Sequence, residues 1–220
     1  MTTRYDAIIF DFDYTLVDSS QGVVECINYA LTELQLPQVR AAAVHRTIGL
    51  HLDDAFVQLA GERHAALRGD FRRHFAQRAD EVMNDLTLLF ETVPDTVQHL
   101  KKNDIQLAIV STKYRYRIAD FLQREHLLEA FDVIIGGEDV VRHKPDPEGL
   151  LQAIVRLNSP FDKTLYVGDS VVDAEAAQRA GLPFVAVLSG VTDRGEFDGY
   201  PVLAEVANLS QLTEWLMEIS

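Results

Sequence analysis

The chain has 220 residues, of which 47% are hydrophobic and 25% charged, and this composition excludes a disordered or fibrous protein. A chain of this length can bury a core without disulfides or structural metals. Its 34 acidic residues outnumber 20 lysines and arginines, and the resulting net charge of −14 argues against nucleic-acid binding through a basic face.

The first predicted strand is the apolar run Ala7–Phe10, and the next run of this kind begins only at Ile105. A crossover between parallel strands needs about a dozen residues, so this interval contains much more than a crossover. Amphipathic patterns within it predict four helices, around 21–35, 40–48, 52–60 and 64–83. We therefore predict a helical domain formed by residues 17–88, inserted after the first strand of a core formed by 1–16 and 89–220.

Four later apolar runs complete the predicted sheet. They are rich in β-branched and aromatic residues and do not alternate with polar ones, which is typical of strands buried on both faces. Between the last runs, Asp146 is predicted to cap a helix with Pro147 at its first position, and Gly181 to end a helix over Val171–Ala180. This alternation predicts an α/β fold with a parallel sheet of at least five strands. The four runs are Ile105–Val110, Val133–Ile135, Leu165–Val167 and Phe184–Leu188.

Cysteine usage and hydropathy indicate the compartment. The single cysteine, Cys26, excludes an internal disulfide and a zinc site built from cysteines. The first apolar stretch is too short for a signal peptide, and no apolar run approaches the roughly 20 residues of a membrane span. We therefore expect a cytoplasmic protein with no membrane partner.

Polar side chains follow the predicted strands at the points where the strands end. In an open parallel sheet, ligands bind outside the carboxyl ends of the strands, so we expect these side chains to share one edge. A lysine, Lys144, lies between the third and fourth strands of the sheet. The other residues are Asp11, Asp13 and Thr15 after the first strand, Ser111, Thr112 and Lys113 after the second, and Asp169 and Asp173 after the fourth.

Each of these residues also has an ordinary structural interpretation. An aspartate after a strand is usually a loop or cap residue, and the spacing of Asp169 and Asp173 also fits acidic residues at a helix N-terminus. In combination, however, Asp11, Asp13 and Asp169 would repel one another unless a cation compensated their charge. A cluster of hard oxygen ligands without histidine or cysteine suits Mg²⁺.

Four segments of the chain resemble motifs of the haloacid dehalogenase-like superfamily, in its phosphoglycolate-phosphatase-like branch. They are DFDYTLVDS at 11–19, VSTK at 110–113, HKPDP at 143–147 and VGDSVVDAEAAQRAG at 167–181. The resemblance covers essentially the whole chain, and the last segment is long and specific. It implies a Rossmann-like core, an inserted α-helical cap and phosphatase activity.

The resemblance also implies roles for the matching residues. Asp11 would be the nucleophile that forms an aspartyl-phosphate, and Asp13 the general acid and then the general base. Ser111 and Lys144 would hold phosphoryl oxygens, with Lys144 also pairing with Asp11. Substrate contacts are expected from Thr15, Thr112 and Lys113. Mg²⁺ is expected on Asp11, the backbone carbonyl of Asp13, and Asp169, with Asp173 assisting directly or through a water.

One motif residue departs from the family pattern, and two cap residues are candidates for substrate selection. The first motif of this family usually reads D-x-D-G-T, but Tyr14 stands at the glycine position. A tyrosine in the left-handed region costs about 1–3 kcal/mol, so either the turn differs or the strain is tolerated. In the cap, Arg46 and His51 flank Gly49, where caps of this family often present a specificity loop, and we predict that both select the substrate.

The leading hypothesis is a Mg²⁺-dependent phosphatase of a small phosphorylated metabolite such as phosphoglycolate, with pyrophosphate as another conceivable substrate. A phosphotransferase resembling β-phosphoglucomutase is an alternative, because it uses the same four motifs. A catalytically silent binding protein of the same fold is another.

Two branches of the family are excluded. The dehalogenase branch lacks an aspartate corresponding to Asp13, and the phosphonate-cleaving branch needs a cap lysine, whereas this chain has none before Lys101. A monomer and a homodimer are both consistent with the sequence.

Overall fold

The structure is a computed structural model that describes residues 5–219. It divides into two compact units. The core unit takes in the described residues up to Val17 and from Leu89 onward, and the cap unit is Asp18–Leu88. The chain therefore leaves the core after its first strand and returns to it once.

The core unit contains a six-stranded sheet in which every pairing is parallel. Counting both sheets, the described residues form eight strands, which in chain order are β1 (Ala7–Phe10), β2 (Val17–Asp18), β3 (Leu88–Leu89), β4 (Gln106–Val110), β5 (Val133–Ile135), β6 (Thr164–Gly168), β7 (Phe184–Val187) and β8 (Val202–Val206). The sheet order is β5-β4-β1-β6-β7-β8, while β2 and β3 form a separate two-stranded sheet. The predicted α/β fold with at least five parallel strands is confirmed. The additional strand, β8, lies at the sheet edge, is mostly part-exposed and includes Glu205, so it lacked a continuous apolar run.

The helices are α1 (Ser20–Glu33), α2 (Ala41–His45), α3 (Leu52–Ala60), α4 (Arg68–Val82), α5 (Val93–Lys102), α6 (Arg115–Arg124), α7 (Glu148–Leu157), α8 (Val171–Ala180) and α9 (Leu209–Glu218). Short 3₁₀ helices occupy Glu62–Leu67, Leu128–Ala130, Gly137–Asp139, Phe161–Lys163 and Arg194–Phe197.

The predicted start of α7 was wrong by one position, because Pro147 precedes the helix as its cap residue. The side chain of Asp146 nevertheless accepts the backbone N–H of Glu148 at 3.0 Å.

The two faces of the core sheet are both covered by helices. Ile8 and Phe10 of β1 pack with α5, α6 and α9, whereas Ala7 and Ile9 pack with α7 and α8. Successive side chains of a strand point to opposite faces, so a strand covered on both sides must be apolar at every position. This burial explains the continuous apolar runs and leaves the carboxyl ends of the strands for polar groups.

The cap unit has an apolar core of its own, built from α1 to α4. Phe56 and Phe71 stack with ring centroids 4.5 Å apart, and Cys26 is buried in the same cluster. The cap is therefore a helical unit that buries its own apolar faces.

Candidate functional site

The site is built at the carboxyl ends of three neighbouring strands. β1 lies between β4 and β6 in the sheet, so the residues that follow these strands emerge side by side. Asp11 follows β1, Ser111 follows β4 and Asp169 follows β6. All three are buried, as are Asp13, Lys144 and Asp173. The sheet topology thus brings polar groups from distant parts of the sequence to one buried edge.

Lys144 is the centre of a buried hydrogen-bond network. Its ammonium donates to Asp11 Oδ1 at 2.7 Å, to Asp173 Oδ1 at 2.6 Å and to the Tyr166 hydroxyl at 3.2 Å. The Tyr166 hydroxyl in turn donates to Asp173 Oδ1 at 2.6 Å. Burial alone would lower the pKa of Lys144, but the charges of Asp11 and Asp173 hold that pKa above its ordinary value. The lysine is therefore charged and fixed against both carboxylates.

Three carboxylates face one another around this lysine. Ligand oxygens of Asp11, Asp169 and Asp173 all lie within 4.8 Å of one another. Burial, against the opposing effect of Lys144, and the charge of Asp173 together raise the pKa of Asp11 to about 7. Burial, with the charges of Asp173 and Asp11, raises the pKa of Asp169 well above its usual range. Burial also opposes ionisation of Asp173, but Lys144 holds the pKa of this group below its ordinary value.

The triad fits a hard divalent cation. One ammonium faces three buried carboxylates, so full ionisation leaves uncompensated negative charge. The three ligands all offer oxygen, and the set contains no imidazole or thiolate. This chemistry suits Mg²⁺ better than zinc or copper.

Asp13 forms a second buried ion pair, with Lys113. The Lys113 ammonium donates to Asp13 Oδ1 at 2.8 Å and to Oδ2 at 3.1 Å, and both side chains are largely buried. The backbone N–H of Lys113 donates to Ser111 Oγ at 3.3 Å. Thr15 donates from Oγ1 to Asp169 Oδ1 at 3.3 Å. Lys113, predicted to contact substrate, is thus paired with the predicted acid–base residue.

Asp173 satisfies both interpretations of its spacing from Asp169. It lies in the first turn of α8, where Ser170 Oγ accepts the Asp173 backbone N–H at 3.2 Å and donates to Asp173 Oδ2 at 2.6 Å. The other carboxylate oxygen of Asp173 faces Lys144 and Tyr166. One oxygen therefore caps the helix, and the other belongs to the buried network.

Tyr14 adopts the conformation that glycine normally serves. Its φ is 61°, in the left-handed region, and the residue is buried. Its backbone N–H donates to the Val17 carbonyl at 2.7 Å, and its own carbonyl accepts the Ser189 hydroxyl. Of the two possibilities raised by the sequence, the structure shows that the left-handed turn is kept and the strain tolerated.

Arg46 and His51 belong to the cap unit. Arg46 is exposed at the C-terminal end of α2. His51 precedes α3 as its cap residue, and its Nδ1 accepts the backbone N–H of Asp53 at 3.4 Å. His51 therefore has a structural role that the sequence did not indicate. Thr112 follows β4 with a part-buried side chain.

Two residues of the network were missed from the sequence. Tyr166 lies inside an apolar run and fits the strand pattern without reference to its hydroxyl, and Ser170 lies in the fourth motif, which implies no separate role for it. The sequence did contain a clue to Tyr166, because a tyrosine in the middle of a buried strand brings a hydroxyl group into the core. A buried tyrosine hydroxyl needs a hydrogen-bond partner, so it marks a polar group nearby.

Comparison with known proteins agrees with this geometry. The family described as "Haloacid dehalogenase-like hydrolase" matches residues 8–187. A phosphoglycolate phosphatase of Salmonella choleraesuis is 33% identical over 204 residues, covering 83% of this chain and 81% of that protein. The pyrophosphatase PpaX of Bacillus mycoides is 29% identical over 217 residues, covering 99% of each chain.

A solved structure is similar over nearly the whole chain. The haloacid dehalogenase-like hydrolase from Bacteroides fragilis has a TM-score of 0.92 and 45% identity, covering 94% of this chain and 99% of that one. Within residues 5–219, no helix has both the length and the apolar character that crossing a membrane requires.

Proposed function

Because the chain belongs to the haloacid dehalogenase-like hydrolase family and is a phosphoric monoester hydrolase, we propose that it is a Mg²⁺-dependent phosphatase of small, phosphoglycolate-like phosphomonoesters. The observation that carries the metal dependence is the buried triad of Asp11, Asp169 and Asp173 with one ammonium among them. The substrate class rests on the relative named phosphoglycolate phosphatase.

The first chemical step uses Asp11 and Asp13. A carboxylate oxygen of Asp11 forms a bond to phosphorus as the bond from phosphorus to the ester oxygen breaks. Asp13 gives its proton to the departing oxygen, so the leaving group departs as an alcohol. Lys144 is already hydrogen-bonded to Asp11 and favours its ionised form. Ser111, which follows the neighbouring strand β4, is proposed to hold a phosphoryl oxygen.

The second step regenerates the enzyme. Asp13, now a carboxylate, takes a proton from water as the water oxygen attacks the phosphorus of the aspartyl-phosphate. The bond between phosphorus and Asp11 breaks, and inorganic phosphate leaves. In the structure Lys113 donates to both oxygens of Asp13. Before the first step, therefore, the entering phosphoryl group must draw this ammonium away, and Asp13 must take up from solvent or from the substrate monoanion the proton that it then gives to the leaving oxygen.

The residues that would hold Mg²⁺ are Asp11, Asp169 and Asp173 with the backbone carbonyl of Asp13. When bound, Mg²⁺ supplies positive charge that compensates the triad and draws electron density from the phosphoryl oxygens. Arg46, an exposed cation of the cap, is proposed to bind the carboxylate of a phosphoglycolate-like substrate. The partner is thus a small phosphorylated metabolite rather than nucleic acid.

A panel of phosphorylated metabolites and pyrophosphate, assayed for phosphate release with and without Mg²⁺, tests this proposal. We expect the highest kcat/KM for a small carboxylated monoester, and no release once the metal is chelated. Exclusive use of pyrophosphate would instead favour a pyrophosphatase. The similarity to the pyrophosphatase PpaX over 99% of both chains supports this second candidate function. No turnover of any compound would contradict both and favour the silent binding protein.

Hydrolysis and mutase transfer differ in the acceptor of the phosphoryl group. A mutase must hold a bisphosphate, with one phosphate at Asp11 and the other bound by a cation of the cap. We predict no interconversion of β-glucose 1-phosphate and glucose 6-phosphate when a bisphosphate primer is supplied. Efficient primed isomerisation would contradict the hydrolase proposal.

A further inference from the structure

The loop after β7 contacts the site at two points, although it belongs to none of the four motifs. β7 is the neighbour of β6 in the sheet, so this loop emerges beside Asp169. We propose that Ser189 and Gly190 form a positioning segment: Ser189 fixes the strained turn at Tyr14, and Gly190 leaves the space that the Asp169 carboxylate occupies. The importance of this segment for catalysis rests on the proposed function, but its two contacts do not.

The contact of Ser189 is with the backbone of the first motif. The Ser189 hydroxyl donates a hydrogen bond to the carbonyl of Tyr14, whose φ of 61° is unfavourable for a side chain that large. Conformations of this kind persist when surrounding contacts over-determine them. The next residue, Thr15, donates to Asp169, so a shift of the turn would move a partner of that carboxylate. Ser189 therefore restrains a turn that carries site residues on both sides.

Gly190 is required for space rather than for backbone conformation. A Cβ atom at this position would lie 2.0 Å from Asp169 Oδ2 and 2.9 Å from Asp169 Cγ. Its φ is outside the left-handed region, so alanine fits the backbone. The colliding atoms belong to the end of a side chain, so Gly190→Ala would displace the Asp169 carboxylate while the fold is kept. Gly195, in the 3₁₀ helix Arg194–Phe197 of the same connection between β7 and β8, has no heavy atom within 4 Å of such a Cβ and offers a control.

The first test compares Gly190→Ala with Gly195→Ala in the metal-free protein. We expect Gly190→Ala to lower the Tm and Gly195→Ala to leave it nearly unchanged. In an Asp169→Ala background the two closest atoms are gone and only the Cβ atom at 3.2 Å remains, so the Tm loss from Gly190→Ala should shrink to less than half. An equal loss in both backgrounds would overturn the role of Gly190.

Calorimetric titration with Mg²⁺ provides a second measurement on the same proteins. Groups that orient metal ligands typically change metal affinity by about 10–100-fold, and we expect a loss of this size in Gly190→Ala but not in Gly195→Ala. Unchanged affinity in Gly190→Ala, with binding in the wild type, would overturn the inference. Absence of binding in the wild type would instead contradict the proposed function and leave the stability comparison to decide the inference.

A double-mutant cycle tests Ser189. Ser189→Ala should lower the Tm when Tyr14 is present. In a Tyr14→Gly background the loss should shrink to less than half, because glycine adopts a positive φ without strain. Tyr14→Gly alone should remain folded and retain activity. Equal losses from Ser189→Ala in both backgrounds would show that the hydroxyl does not restrain the Tyr14 turn.

Discussion

The core unit and the cap unit both contain many charged groups, but they place them differently. In the core, Lys144 and its partners Asp11 and Asp173 are at most 5% exposed, and one ammonium faces three carboxylates. In the cap, pairs such as Arg73 and Asp70 are exposed by 65% and 48%, and each of these two charges has one nearby partner of opposite sign. Buried, unbalanced charge has strong electrostatic effects, whereas exposed pairs contribute little. We infer that the core supplies the chemistry and that the cap contributes to substrate choice.

The largest effect is expected at the nucleophile. Asp11→Asn keeps the volume of the side chain but removes the attacking carboxylate, so phosphate release should fall by about 10⁴-fold or more. Circular dichroism and thermal unfolding should show an intact fold. Asp120→Asn, which makes the same change of charge at an exposed position of α6, should retain activity. Turnover by Asp11→Asn at a rate near that of the wild type would contradict the covalent mechanism.

Stability separates buried from exposed ion pairs most clearly. Lys144→Met leaves two buried carboxylates without their shared cation, and removal of one partner from such a network costs about 3–5 kcal/mol. Lys101→Met breaks the exposed pair with Asp132 and should cost about 1 kcal/mol or less. Urea unfolding measures both values. Equal losses of unfolding free energy in the two variants would contradict the claim that the buried ion pairs matter more for stability than the exposed pair.

Mg²⁺ should stabilise the protein, and more strongly at high pH. The pKa of Asp11 is raised from 3.8 to about 7, so between these values the metal-free folded state holds a proton that the unfolded chain has lost. The contribution of Asp11 to the free energy of unfolding therefore falls as the pH rises through this window. Mg²⁺ replaces that proton, so the metal-induced rise in Tm should be larger near pH 8 than near pH 5.

At 100 times its Kd, a ligand adds about 2.7 kcal/mol, which corresponds to a Tm rise of about 5–10 °C for a chain of this size. Differential scanning calorimetry with and without chelator gives the measurement. A metal-induced rise that is the same at both pH values would contradict the raised pKa of Asp11.

The smallest effect is expected in the cap. Arg46→Ala removes a charged contact with the distal group of the substrate, so kcat/KM for phosphoglycolate should fall about tenfold. Hydrolysis of p-nitrophenyl phosphate should be unchanged, because the core residues are untouched. Arg63→Ala changes another exposed arginine of the cap and should affect neither substrate. Equal losses on both substrates would remove Arg46 from a role in specificity.

Much of the fold was predictable because the sheet is covered on both faces. Strands such as β1 and β6 had to be apolar at successive positions, and their uninterrupted runs were therefore visible in the sequence. The gathering of Asp11 and Asp169 followed from the shared edge of a parallel sheet. The edge strand β8 lacked this constraint, since one edge is unpaired and its side chains are partly exposed.

The remaining site contacts depend on atoms that meet only in the folded chain. No local pattern indicates that the Ser189 hydroxyl reaches the carbonyl of Tyr14, or that Gly190 lies against Asp169. Tyr166 was hidden for the opposite reason, since an aromatic residue in a buried strand satisfies the strand pattern without reference to its hydroxyl. Residue types at strand ends were therefore informative, whereas the groups that orient them were not.

Direct trapping of the phosphorylated residue tests whether Asp11 is the nucleophile. During turnover of p-nitrophenyl phosphate with Mg²⁺, the protein is quenched with acid and treated with borohydride, which reduces an acyl phosphate to an alcohol. We expect homoserine at position 11 in the digested peptide, dependent on substrate and absent from Asp11→Asn. Phosphate release accompanied by trapping at another residue, with position 11 unmodified, would contradict this role of Asp11.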